Sequence, residues 1–361
     1  MLSATPAVSA ETAPTVGPSE ANKSASTEAT PQLEHIAVWT EDLKKTAKFL
    51  DEALGWKTHP MQFGVYEDND RFGGMDLAFV DANGIWIELI QPTTPGPGLD
   101  LLKAKGKGAI VELDFAVPNL DRATKRLRLM GIEAVGMDGK PMQDGGLLNE
   151  WVLKDGKRVD ADERLAYIPT EVTRGTQIEL FWEYPNGALN VRDDMWKQAG
   201  LMGLEDGPRI DHVTVLAADL QKSAEVYTNV LGLSRSPQNN GVRRDWLGVG
   251  DANSAWIRGN EKGFDIQLVA PPSTKAGSAL IDKFTDGNIM EIGVEVSDLS
   301  KFYDQMKTKG ITLTTGNGQA LTGRKKFVTS ENQLIRYAYF PHEKSEGMRI
   351  MVFQRQQKNL N

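Results

Sequence analysis

HIAVWTEDL, residues 35–43, recurs in altered form at three further places in the chain, and this repetition decides the fold. The related stretches are ELDFAVPNL (residues 112–120), HVTVLAADL (residues 212–220) and EIGVEVSDL (residues 291–299). Each begins with His or Glu, continues as a β-like run and ends in Asp-Leu or Asn-Leu. Asp and Asn are favoured at helix N-caps because their side chains accept a hydrogen bond from a free backbone N–H group. The pattern therefore predicts four copies of a strand followed by a helix.

The residues that follow each stretch extend the repeat. In the first copy, Leu43, Ala47, Leu50 and Leu54 are spaced so that they form one apolar stripe on a helix. Each predicted helix ends near a glycine, which can adopt the left-handed conformation of a helix C-terminus. These glycines are Gly55, Gly131, Gly232 and Gly310. The first and third copies begin with His and the second and fourth with Glu, so the sequence indicates a duplicated unit of two modules.

Strand-like runs complete each module. The four modules end in IWIELIQP, TQIELFWEYP, FDIQLVAPP and MRIMVFQR, and the turn DANG before the first of these runs is a hairpin signal. Each module is thus predicted to contain a strand, a helix and several further strands. This composition predicts an α+β fold in which helices pack outside curved sheets.

Equivalent positions in the first and last strands of the modules carry the candidate chemistry. In the first half they hold His35, Glu88, Glu112 and Glu179. An ionised carboxylate on an apolar sheet face is costly unless it is paired or binds a metal, so these four residues predict a metal site. In the second half the same positions hold His212, Gln267, Glu291 and Met351. A thioether is a poor ligand for a hard cation, so His212, Gln267 and Glu291 form only a weaker candidate set.

Composition limits the classes of partner. The chain has no cysteine, which excludes thiolate chemistry and disulfides, and its net charge of −8 argues against non-specific nucleic-acid binding. No apolar run approaches the roughly 20 residues that cross a bilayer. The expected partner is a small-molecule substrate, with neither nucleic acid nor membrane, and the expected state is a monomer or homodimer.

The N-terminal segment, residues 1–32, is rich in Ala, Ser, Thr and Pro and predicts a disordered tail. VSA before Glu11 resembles a signal-peptide cleavage site, but a basic start and a continuous apolar core are missing. A cytoplasmic protein is therefore expected, and a periplasmic or secreted one remains the alternative.

The repeats and the strands IWIELIQP and FDIQLVAPP resemble the vicinal oxygen chelate superfamily, which includes glyoxalases, bleomycin-resistance proteins and extradiol dioxygenases. The resemblance covers roughly residues 33–354 and implies four βαβββ modules, paired into two tandem cup-shaped domains, 33–187 and 208–356, joined by a linker, 188–207. It also implies that a divalent metal lies in a cup, held by residues of the first and last strands. Those family positions fall on His35, Glu88, Glu112 and Glu179, and on His212, Gln267, Glu291 and Met351.

One histidine with three carboxylates resembles the glyoxalase and epimerase type of site. It implies a lyase, isomerase or epimerase whose metal (Zn, Ni, Co, Mn, Mg or Fe) acts as a Lewis acid on a substrate with neighbouring oxygens. A carboxylate then removes a carbon-bound proton, with Glu179 as the first candidate base and Glu88 as the second.

Two alternatives stay open. An Fe(II) extradiol dioxygenase would need two histidines and one carboxylate, whereas His59 and His342 lie outside the repeat positions. A metal-free binding protein of the bleomycin-resistance type would use aromatic side chains, for which Trp39, Trp86, Trp182 and Trp246 are candidates.

Overall fold

The computed structural model describes residues 30–68, 72–136, 139–142, 146–148, 150–161, 163–182, 207–236, 241–243, 246–323, 328–330 and 335–355. Residues 1–29 of the predicted N-terminal tail and residues 188–206 of the predicted linker are not among the described residues.

Each module contributes a group of strands to the structure. The strands of the first half are β1 (Gln32–Trp39), β2 (Lys57–Thr58), β3 (Phe63–Val65), β4 (Met75–Asp81), β5 (Trp86–Pro92), β6 (Ile110–Ala116), β7 (Gly146–Leu148), β8 (Glu150–Lys154), β9 (Lys157–Asp160), β10 (Glu163–Ile168) and β11 (Ile178–Trp182). Those of the second half are β12 (Arg209–Leu216), β13 (Gly241–Arg243), β14 (Ala252–Arg258), β15 (Asp265–Ala270), β16 (Ile289–Glu295), β17 (Val328–Ser330), β18 (Ile335–Tyr339) and β19 (Ile350–Arg355).

Helices follow the first strand of every module, as predicted, and two more follow β5 and β15. The helices are α1 (Leu43–Leu54), α2 (Pro97–Lys105), α3 (Leu120–Leu129), α4 (Leu220–Glu225), α5 (Lys275–Phe284) and α6 (Leu299–Thr308). α4 continues as one π-helical turn, Val226–Val230, and a short 3-10 turn spans Trp246–Gly248. Among the described residues, no helix has both the length and the apolarity needed to cross a bilayer.

Side-chain caps start the four module helices, as the sequence predicts. Asp42, Asn119, Asp219 and Asp298 each accept a hydrogen bond from a backbone N–H group in the first turn. At the end of α1, Gly55 adopts a left-handed conformation with φ of 75° and its N–H group donates to Asp51 and Leu50. The repeated Asp/Asn-Leu pair thus fixes where the chain turns from strand to helix.

The first strands of two modules form the centre of each half. In the first half, β1 pairs antiparallel with β6, β5 joins β1 in parallel, and β11 joins β6 in parallel. In the second half, β12 and β16 form the same antiparallel pair, flanked by β15 and β19. One residue pair, Ile110 and Ile289, joins the two halves in one sheet. This is the predicted α+β architecture of two tandem domains, each built from two modules.

Side chains alternate between the two faces of these strands. One face packs against the helices in a continuous apolar core that includes Val38, Leu50 and Leu113. The opposite face of the first half forms a cup with a largely aromatic lining, including Phe63 and Phe181. His35, Ala37 and Trp39 of β1 share this cup face, so the repeat positions face its interior.

Glycines allow the two halves to touch at two equivalent places. A Cβ atom on Gly108 would lie 2.2 Å from the backbone of Gly347, and one on Gly287 would lie 2.6 Å from the backbone of Gly175. Each glycine has a positive φ, between 76° and 94°. Gly108 and Gly287 precede β6 and β16 by the same distance, as Gly175 and Gly347 precede β11 and β19. The contact between the halves therefore follows the internal duplication.

Candidate functional site

Four neighbouring strands bring the predicted first-half residues together. In the strand pairing, His35 lies opposite Asp114, and Ala37 is flanked by Glu88 on one side and Glu112 on the other. Glu179 of β11 lies beside Asp114 of β6.

The distances show two overlapping groups of potential metal ligands. His35 Nε2 lies 3.3 Å from Asp114 Oδ2 and 3.8 Å from Glu88 Oε2. Ligand atoms of His35, Glu88 and Asp114 all lie within 4.8 Å of one another, and so do those of Glu112, Asp114 and Glu179. Asp114 belongs to both groups, so all four predicted residues and Asp114 form one cluster.

Neutral side chains hold two of the carboxylates in place. The Tyr167 hydroxyl donates a hydrogen bond to Glu179 Oε2, and Gln177 Nε2 donates one to Glu112 Oε2 at 2.9 Å. Burial raises the pKa of Tyr167 far above its usual range, and the negative charges of the nearby carboxylates raise it further. Tyr167 is therefore a permanent hydrogen-bond donor at the cup floor.

Burial also raises the pKa of Glu112, from 4.5 to about 7, against the opposing effects of the hydrogen bond from Gln177 and of the nearby Tyr167 hydroxyl. Among the described residues, no lysine or arginine forms an ion pair with Glu112. A buried carboxylate without a cation beside it is held partly protonated because its charge is poorly solvated. This environment favours binding of an external cation.

The chemistry of the donors fits a divalent metal ion. One imidazole and up to four carboxylates form a set that suits Zn, Ni, Co, Mn, Mg or Fe. The side chains of His35, Glu112, Asp114 and Glu179 are all buried, with at most 7% of their surface exposed. Binding of a cation would offset the cost of burying these charges.

The second half has a different arrangement at the equivalent positions. Arg243 Nη1 donates to Glu291 Oε1, and to Gln267 Oε1 at 3.0 Å. Arg243 Nη2 lies 3.0 Å from the Tyr339 hydroxyl and 3.1 Å from Met351 Sδ. Three of the four repeat positions, those of Gln267, Glu291 and Met351, thus contact one buried guanidinium.

His212, the fourth residue, hydrogen-bonds to a carboxylate of its own strand. Its Nδ1 lies 2.9 Å from Asp211 Oδ2, and its ring lies over Gly293, where a Cβ atom would come within 2.1 Å of it. Gly293 is the counterpart of Asp114 in the repeat. His35 faces a carboxylate at this place, whereas His212 packs against bare backbone.

Asp114, Tyr167 and Arg243 are among the residues of these sites that the sequence analysis did not identify. Asp114 stands two residues after Glu112, where the other three copies have Ala37, Thr214 and Gly293, and this lone acidic residue was the available signal. Tyr167 and Arg243 lie on middle strands, which the repeats did not align.

The remaining candidate histidines and tryptophans lie elsewhere. His59 is buried beside Trp86, and this burial lowers its pKa. His342 is exposed at the edge of a cavity between the two halves. Trp39, Trp86 and Trp246 are buried, and the side chain of Trp182 lies outside the described residues.

This cavity has a volume of about 1340 Å³ and connects the first-half cup to the second half. Glu112 and Gln177 line it on one side, and Tyr339 and Arg349 line it on the other. Glu112 is thus both a candidate ligand and part of the cavity wall, so a molecule in the cavity can reach this member of the cluster.

Three solved structures are similar to this chain. A triple mutant of 4-hydroxymandelate synthase from Streptomyces coelicolor is 13% identical with a TM-score of 0.55, over 91% of this chain and 94% of that one. A Mn(II)-bound glyoxalase from Novosphingobium aromaticivorans is 12% identical with a TM-score of 0.48, over 91% and 84%. Methylmalonyl-CoA epimerase from Mycobacterium tuberculosis is 21% identical with a TM-score of 0.34, over 41% and 89%. The likeness to the synthase shows a shared fold.

Sequence comparisons were made with curated proteins and with protein-family models. No curated protein sequence matches the chain. Residues 34–147 and residues 209–336 match two family models, both described as the Glyoxalase/Bleomycin resistance protein/Dioxygenase superfamily. Since the two matches cover most of both halves and agree with the observed fold, the chain belongs to the glyoxalase/bleomycin resistance protein/dioxygenase superfamily.

Proposed function

We propose that the first half binds a divalent metal ion and that the protein is a metal-dependent lyase, isomerase or epimerase of the glyoxalase type. Its substrate would be a small molecule with two neighbouring oxygen atoms. The observation that carries this proposal is the buried cluster around Asp114, in which Glu112 has a raised pKa and no described cationic side chain as an ion-pair partner. A bound divalent cation would stabilise this arrangement.

His35, Glu88, Glu112 and Glu179 are the proposed ligands, as predicted from the repeat. The metal would supply Lewis-acid polarisation of a substrate carbonyl, which makes the neighbouring C–H group more acidic. Glu179 is the proposed general base and Glu88 the second candidate. Because Glu179 Oε2 accepts the Tyr167 hydroxyl hydrogen bond, the proton would be taken up at Oε1.

The cavity between the two halves is the proposed binding place of the substrate. It reaches Glu112 and Gln177, and its wall contains apolar side chains such as Trp39 and Ile90. Apolar walls that surround a few polar groups are typical of small-molecule sites. A substrate in the cavity would place its oxygens toward Glu112 and its remaining part toward the second half.

The donor set favours Lewis-acid chemistry over ring cleavage by iron. A facial triad needs two histidines and one carboxylate, and the described cluster contains a single histidine, His35. The dioxygenase alternative makes a different prediction, namely that iron is the native metal. The metal-free alternative predicts a protein that binds its ligand equally well after chelation.

Elemental analysis of the untagged full-length protein tests the proposal. We expect bound metal in the wild type, strongly reduced metal in Glu112→Gln and Glu179→Gln, and unchanged metal in Gln267→Ala. Gln267 is the matched control because it holds the position of Glu88 in the second half. Wild-type metal content in both glutamate variants, or failure of the wild type to take up any of the six candidate metals, would refute the first-half site.

A further inference from the structure

We propose that the second half is a cation site of the same design as the first, and that the chain fills it with its own guanidinium group, Arg243. In the native protein this half would then take no metal ion. The contacts of Arg243 stand on their own, whereas the likeness to a cation site rests on the metal site proposed for the first half.

The position of Arg243 in the repeat is the first argument. Arg243 pairs with Ala252 in the strand register, and Ala252 stands four residues before Trp256, the partner of Gln267. In the first half, Val65 pairs with Met75, which stands four residues before Phe79, the partner of Glu88. Arg243 is therefore the counterpart of Val65, so a buried apolar residue corresponds to a buried cation.

The contacts of the guanidinium are the second argument. Arg243 bonds to Gln267, Glu291 and Met351, the counterparts of the proposed ligands Glu88, Glu112 and Glu179. Its side chain is 2% exposed and that of Glu291 is fully buried. The guanidinium thus lies among the side chains that would surround a metal ion in the first half.

The surrounding groups complete the cage. Thr214 Oγ1 lies 3.1 Å from both Gln267 Oε1 and Glu291 Oε1 and can donate its one proton to either, and the Tyr339 hydroxyl donates to Glu291 Oε2 at 3.2 Å. Thr214 takes the place of Ala37, so the second half has a hydroxyl where the first half has only a methyl group. These bonds give the side-chain oxygens of Gln267 and Glu291 partners from the protein itself.

The balance of charge is the third argument. The second half places one carboxylate, Glu291, against one guanidinium, because Gln267, Gly293 and Met351 replace three acidic residues of the first half. Burial alone would raise the pKa of Glu291, but the charge and hydrogen bond of Arg243, together with the charges of Arg349 and His212, lower it overall. One positive charge suits one carboxylate, whereas the first-half cluster can balance a divalent ion.

Chemical rescue tests the proposal in the full-length protein. Arg243→Ala should lower the melting temperature, and methylguanidinium at millimolar concentration should restore part of the loss in a saturable manner. Arg258→Ala is the matched control: it removes another guanidinium, 29% exposed and 3.2 Å from Asp265, and should gain nothing from methylguanidinium. Equal responses of both variants, or no response of Arg243→Ala, would overturn the proposal.

A second pair of measurements covers the case in which Arg243→Ala does not fold. The double variant Arg243→Val with Glu291→Gln removes both charges and should be more stable than Arg243→Val alone, because no buried carboxylate is left without a partner. Metal analysis of Glu112→Gln then locates any remaining ion. Full metal content in that variant, together with its loss in Glu291→Gln, would place the metal in the second half and refute the proposal.

Discussion

In the metal-free wild-type protein, the free energy of unfolding should fall as the pH rises from about 4.5 to about 7. Replacement of Glu112 by Gln should remove this fall. Burial raises the pKa of Glu112 in the folded chain above its value in the unfolded chain. The folded protein therefore holds this proton more tightly than the unfolded one. Its contribution to stability is complete below the unfolded pKa and disappears as the pH rises through the folded pKa.

The magnitude follows from the two pKa values, 4.5 in the unfolded chain and about 7 in the folded chain. Since one pKa unit corresponds to about 1.4 kcal/mol, the wild type should lose about 3 kcal/mol of unfolding free energy relative to Glu112→Gln over this range. The amide side chain introduced by this substitution cannot ionise, so the variant lacks this pH dependence.

Urea denaturation of chelator-treated protein at a series of pH values measures the effect. Glu133→Gln is the control, because Glu133 is exposed and its replacement should leave the difference between high and low pH unchanged. Parallel pH profiles for wild type and Glu112→Gln would refute the idea that Glu112 is buried without a compensating cation. A bound metal should suppress the effect, because metal ligation requires the ionised carboxylate.

Three further predictions concern the cluster and the contact between the halves. Asp114→Asn should weaken metal affinity roughly 10- to 100-fold in a chelator competition if Asp114 supports the ligands, and unchanged affinity would exclude that role. Tyr167→Phe should weaken it about tenfold because Glu179 loses its hydroxyl donor, and an affinity equal to wild type would show that Glu179 is oriented by other groups. Gly287→Ala should destabilise the protein by several kcal/mol in denaturation experiments, since its Cβ would meet the Arg174 carbonyl oxygen at 2.3 Å. Gly131→Ala has a similar φ, 77°, but open space around it, so it should cost only about 1–2 kcal/mol, and equal losses in both variants would contradict the steric argument.

The sequence predicted the elements that recur in each module. Asp42 and its three counterparts begin helices because a capping side chain and an apolar stripe are local signals. The hairpin around Asn83 and the four module-ending strands follow from equally local patterns. The proximity of His35 to Glu88 and Glu112 could be expected, because these residues hold equivalent positions on the first and last strands of the modules.

The sequence could not predict the groups whose role depends on neighbouring strands. Tyr167 contacts Glu179 across the pairing of β10 and β11, and no spacing in the chain signals that contact. Arg243 reaches Glu291 over 48 residues of sequence, from a short strand that the repeat did not align. Which cation neutralises a buried carboxylate depends on the three-dimensional structure. The sequence of the second half therefore revealed that acidic ligands are missing, but not that a guanidinium lies beside the remaining carboxylate.

The paired glycines give the contact between the halves the form of a dimer interface. Gly108 meets Gly347 and, at the equivalent place, Gly287 meets Gly175, so the same two surface elements face each other twice. Such reciprocal contacts define an isologous interface, the type that joins two identical subunits around a twofold axis. The first half carries both members of the contact, Gly108 and Gly175, and the second half carries Gly287 and Gly347. We therefore expect a first half expressed alone to pair with a second copy of itself through the same glycine contacts.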